Sequence, residues 1–151
     1  MLIRRIMNYA KVVTSFWTGD TGLKISKLGS SYVQLLSCYL VCNKHAHMTG
    51  IYHLPIGYVV EDLSNLTYEE VTNGVKGLID VGYCKYDFDK KYIWVENMLK
   101  YQVGEKLTAG NKQTVAINRY VDSIGSMRLS FFDEFMEKYM ESHCIVDTTK
   151  I

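Results

Sequence analysis

Residues 67–95, TYEEVTNGVKGLIDVGYCKYDFDKKYIWV, constrain the fold more than any other stretch. Thr67 and Glu70 stand three positions apart ahead of an apolar stripe. In that arrangement each side chain caps the other residue's backbone N–H at a helix start. Val71, Val75, Leu78 and Ile79 follow at helical spacing, and Gly82 supplies the left-handed residue on which such helices end. Two short aromatic-rich runs come next, 83–86 and 92–95, separated by Asp87-Phe88-Asp89-Lys90-Lys91 as the turn. A capped helix running straight into a β-hairpin is predicted.

Upstream, Ile56, Val59, Val60 and Leu63 repeat at helical spacing until Ser64-Asn65 breaks them, with Pro55 suited to the first helical position. Two helices joined by so short a turn form a helix-turn-helix pattern. Residues 50–55, GIYHLP, read as a short strand. Ser30 or Ser31 can cap an earlier helix reaching about Asn43. Val33, Leu36 and Leu40 line one side of it, while Leu35, Tyr39 and Cys42 fill much of the rest, the pattern of a central helix. Residues 4–13 suit a first strand or an extended arm. Residues 16–31, holding Gly19, Gly22 and Gly29, suit a loop with at most one turn of helix. Strand, helix, strand, helix, helix and hairpin is the order of a winged helix. The expected class is α+β: a winged helix-turn-helix over residues 1–102, a linker at 103–111 and a helical extension over 112–151. In that extension Ile117, Tyr120, Val121 and Ile124 form one apolar stripe. Phe132, Phe135, Met136, Tyr139 and Met140 form another. If exposed, the second stripe would be a partner-binding surface.

Charge decides what the surface can attract. The net charge is only +1, so the molecule as a whole has no strong pull on nucleic acid or membranes. The distribution is uneven: residues 1–30 carry five Lys and Arg against one acid, and residues 31–97 carry five against eight. Residues 98–128 again carry five against two, and residues 129–151 two against five. The four cysteines lie in apolar or helical surroundings, and MLIRRIMNYAK is too polar for a signal peptide, so a cytoplasmic protein with free thiols is expected. No apolar run is long enough to span a bilayer.

Three groups of residues carry candidate chemistry. On the second helix of the pair, Tyr68, Thr72, Asn73 and Lys76 face outward, where Asn can pair with adenine and Lys with guanine. Glu69 and Glu70 beside them suit the helix dipole but repel phosphate. In the hairpin, Lys85, Lys90 and Lys91 are candidates for phosphate contact, or simply guards of an edge strand. Cys38, Cys42, His45, His47 and His53 lack the paired spacing of a zinc site, so no metal is expected. No Walker loop, G-x-S-x-G or H-E-x-x-H occurs, so neither a cofactor nor catalysis is expected.

Three segments together resemble a known group. They are FWTGDTG, the run from LLSCYLVCNKHAHMTGIYHLP through IGYVVEDLSNLTYEEVTNGVKGLIDVGYCKYD, and YIWVENMLKYQ. Across residues 12–104 they are similar to the amino-terminal winged-helix domain of phage-type replication initiation proteins, the replisome-organiser group related to DnaD-like primosomal proteins. That resemblance implies a DNA-associated role in starting replication of a phage or mobile element. In that group a further segment engages the host helicase or its loader. With the chain ending at residue 151, such a segment is expected to be short or missing. Two other readings stand beside it. One is a winged-helix transcription regulator, which would protect a palindromic operator as a dimer. The other is an interaction module that binds a replication protein, or a second copy of itself, without DNA.

Overall fold

The computed structural model describes residues 7–104 and 110–143, with side chains up to residue 139. Its elements in order are α1 (Asp20–Ser26), α2 (Ser31–Cys42), β1 (Ile51–His53), α3 (Ile56–Asp62), α4 (Tyr68–Asp80), β2 (Cys84–Asp87), β3 (Tyr92–Val95), α5 (Met98–Gln102), α6 (Lys112–Gly125) and α7 (Phe132–His143). The class is α+β, with one antiparallel sheet in the order β1-β3-β2.

α4 is built as the sequence predicts. Thr67 Oγ1 accepts from the Glu70 amide and a Glu70 carboxylate oxygen accepts from the Thr67 amide, both at 3.1 Å. At the other end Gly82, at φ +79°, lets its own N–H reach Ile79 O and lets Tyr83 N–H reach Leu78 O, closing a Schellman motif. Val71, Val75 and Leu78 are buried, and Gly74 faces Leu36 of α2. Thr67→Ala removes one of the reciprocal caps and should lower stability by about 1 kcal/mol in urea denaturation. A loss below a few tenths would mean that water caps the helix equally well.

The sheet has two covered faces. Register pairs Tyr52 with Ile93 and Ile93 with Tyr86, and these side chains point into a core shared with α2, α3 and α4. The alternate set, Ile51 opposite Trp94, points the other way into a second core. Ile117, Val121 and Ile124 of α6, with Phe131, Phe135 and Tyr139 at and along α7, close that second core. The molecule is therefore layered as helices, sheet, helices. Four tyrosines tie the first core together: Tyr39 donates to Asp62 Oδ2 at 2.7 Å, Tyr52 to Leu40 O, Tyr83 to Ser37 O at 2.6 Å and Tyr86 to Leu54 O at 2.7 Å. Tyr120 of α6 donates to Ile51 O at 2.5 Å and stacks on His47 with centroids 3.6 Å apart.

Several expectations are corrected. The segment read as a loop contains α1, nearly two turns long, which packs so close that a Cβ on Gly22 would lie 2.3 Å from Phe16 O. No strand forms over residues 7–13; the chain there is irregular, and Gln102 pins it by accepting from Lys11 N–H and donating to Lys11 O. The part of that segment before residue 7 lies outside the described residues. Pro55 precedes α3 as its N-cap instead of opening it. Asp87 belongs to β2 and is buried, so the turn begins after it. α2 is central on one side only, since Leu35 and Cys42 are exposed. Most of the linker, residues 105–109, lies outside the described residues.

The apolar stripe of α7 is the largest correction. Phe135 and Tyr139 are buried, and Phe132 and Met136 pack partly buried against the same core, so none of them forms the exposed partner surface the sequence suggested. The physical reason is the second sheet face: Ile51 and Trp94 need apolar cover, and α6 and α7 supply it. The Met140 side chain lies outside the described residues.

Candidate nucleic-acid interface

The outward face of α4 is the first candidate. Tyr68 is 61 % exposed at its start, and Asn73 and Lys76 are exposed further along. Thr72 is half-buried, and its hydroxyl donates to Tyr68 O at 2.9 Å. The cap, the buried stripe and the α2 contact hold this helix rigidly, so the four side chains are presented from a fixed backbone. The face is not basic. Lys76 stands among Glu69 and Asp80, while Glu70 is engaged in the capping box.

The hairpin lies beside the start of α4. Tyr86 is edge-on to Phe88 at 4.8 Å, and its phenol is pushed up by burial first and then by Tyr68 and Asp87. Phe88 itself is exposed, and a sequence reading passes over it because an apolar residue in a charged turn carries no periodic signal.

The three hairpin lysines do not form one free cluster. Lys85 pairs with Glu134 of α7 at 3.7 Å, and Lys90 Nζ donates to Arg128 O at 2.8 Å. Lys91 is exposed and takes a left-handed φ of 60° at the turn's end. Beneath them Asp87, 6 % exposed, ties the hairpin to the extension. Its Oδ1 accepts from Asp89 N–H at 3.0 Å and Lys90 N–H at 2.9 Å, and its Oδ2 from Ser130 N–H at 2.9 Å. Burial opposes the charge, yet the three N–H donors outweigh it and hold the carboxyl below its ordinary range.

Of the Cys and His residues weighed against zinc, Cys42 Sγ donates to Cys38 O, His47 Nδ1 lies 2.9 Å from Thr49 Oγ1, His45 stacks on Tyr58 and His53 packs against Tyr92. Among the described residues no group of three or more His, Cys, Asp or Glu side chains is arranged to hold a metal ion. Nor, among those residues, is any helix long and apolar enough to cross a membrane.

The chain is thus an α+β protein whose sheet is sandwiched between two helical layers. No family model, no curated protein and no solved structure matches it.

Proposed function

We propose that this is a winged-helix protein of the cytoplasm that binds duplex DNA through α4 and acts in replication initiation of a phage or mobile element. The observation that carries the reading is the rigid, capped α4 with Tyr68, Thr72, Asn73 and Lys76 outward, followed directly by a hairpin. The element order α2, β1, α3, α4, β2, β3 supports it, as does the resemblance of residues 12–104 to the replisome-organiser group. Asn73 and Lys76 would contact the groove, and Lys91 a phosphate.

A second reading has its own support. With Lys85 and Lys90 held by the extension and acids beside Lys76, the electrostatic pull on DNA is weak, which favours an interaction module that binds a replication protein.

Fluorescence anisotropy on a random-sequence duplex across a salt series separates the two. The wild type should bind at low salt, Asn73→Ala/Lys76→Ala should weaken binding by about tenfold, and Lys91→Ala should make the log–log salt slope shallower by about 1. Absence of duplex binding at low salt, or a double variant indistinguishable from wild type, would replace the DNA reading with the interaction module.

A further inference from the structure

A second set of exposed rings and cations lies away from α4. Residues 11–17, α1 and α5 enclose a half-open cavity of about 260 Å³. Its walls are largely apolar, from Phe16, Val41, Tyr83 and Met98, and Asn97 adds an amide. The volume is below the roughly 300–1,000 Å³ that drug-sized ligands occupy, and leaves room for a single ring system. Phe16 stands edge-on to Tyr83 at 6.5 Å and to Trp17 at 4.8 Å. Trp17 is 48 % exposed with its ring against that of the lining residue Phe16, and Tyr101, part of the lining, is 43 % exposed.

Lysines run among these rings. Lys11 lines the cavity, Lys24 lies one helical turn beyond the lining residue Thr21, and Lys100 Nζ sits 5.6 Å from the Tyr101 ring centroid. Among the described residues Asp20 is the one acid of the lining. The rim is also preformed. Gln102 grips both backbone groups of Lys11, and the close seat of Gly22 against Phe16 and Trp17 fixes the backbone that carries the indole.

We propose that this groove binds single-stranded DNA, with one base in the cavity, its neighbours stacked on Trp17 and Tyr101, and the phosphates on Lys11, Lys24 and Lys100. Exposed rings interleaved with cations along a groove are what a flexible polyanion of planar bases requires, since each base offers a π face regardless of sequence. An acidic peptide would satisfy the lysines and leave the rings unused. A base held in a duplex stack could not enter the cavity. The choice of DNA over RNA rests on the replication reading above.

The full-length chain is titrated with an oligothymidylate of about 15 nucleotides, near the upper site size of one single-strand-binding module. Binding is followed by anisotropy and by tryptophan emission. Trp94 is buried at 1 % exposure, so quenching by stacked bases reports on Trp17. Quenching should appear in the wild type and vanish in Trp17→Phe. Tyr101→Ala should weaken binding by about tenfold, as loss of one stacking partner does. Lys11→Glu/Lys24→Glu should weaken it further and flatten its salt dependence. Asn73→Ala/Lys76→Ala should bind the oligonucleotide as wild type does, and all variants should keep the wild-type melting temperature.

No binding of the oligonucleotide, unchanged emission at saturation, or groove variants that bind equally well would overturn the proposal, even if those variants lost a protein partner. Duplex binding weakened only by the α4 variant, with groove variants inert, would leave the proposed function standing and remove the groove. Single-strand binding at the groove without duplex binding would do the reverse.

Discussion

Trp94→Ala is expected to lower the unfolding free energy by about 3–5 kcal/mol, the range for truncating a large buried aromatic. The ring is edge-on to Phe135 at 5.5 Å, 6.0 Å from Phe131, and has Lys138 Nζ over it at 5.7 Å. Opposite it in the register stands Ile51, fully buried in the same core. Removing the indole leaves a cavity where α7 meets the sheet, and the aromatics around it cannot collapse inward because β3 is fixed by neighbours on both edges. At about 2–4 °C per kcal/mol for a chain of this length, the melting temperature should fall by roughly 10 °C. Far-UV circular dichroism on heating measures it. A loss below 1 kcal/mol would mean that α6 and α7 do not seat on the sheet.

Asp87→Asn is the second large effect. The carboxylate accepts three backbone N–H groups, two from its own turn and one from Ser130. An asparagine keeps one acceptor oxygen and turns an NH₂ toward a donor, so at neutral pH the loss should be about 2–3 kcal/mol, as for charged hydrogen bonds left unmade. Its pH dependence has a definite sign. The folded carboxyl titrates below its ordinary value, so its contribution is complete above the unfolded value of about 3.9. It disappears as pH falls through the lower, folded value. Urea denaturation of both proteins should therefore show a gap that is constant from neutral pH down to about 5 and narrows in stronger acid. A gap that stayed open there would assign the loss to packing instead of charge.

What a reader of the sequence can recover follows from how locally each feature is determined. The capping box, the Val71-Val75-Leu78 stripe and Gly82 all lie within α4 and its cap, so that helix and the hairpin after it are legible. α1 is not, because glycines at 19 and 22 depress helix propensity and no side chain caps its start. Close tertiary packing at Gly22 accompanies it instead. The aromatic stripe of α7 has the same spacing whether it covers a sheet or awaits a partner. The hint that resolves it is the uninterrupted YIWV of β3, a strand apolar on both faces. The α4 face was recognisable from periodicity alone. The ties of Lys85 to Glu134 and Lys90 to Arg128 O join residues far apart in the chain, and no spacing rule exposes them. The ring-and-lysine groove combines residues 11–24 with residues 97–101, and likewise exists only once the chain is folded.

The doubly covered sheet also imposes an order on assembly. The β2–β3 hairpin closes a short loop and can form early, whereas β1 must reach β3 across the whole of α3 and α4. Only when that pairing is complete do Ile51 and Trp94 lie side by side as one apolar surface. Until then α6 and α7 lack part of the surface they settle on. Strong periodicity favours each of these helices on its own, but the full surface they dock on requires the longest-range pairing in the sheet.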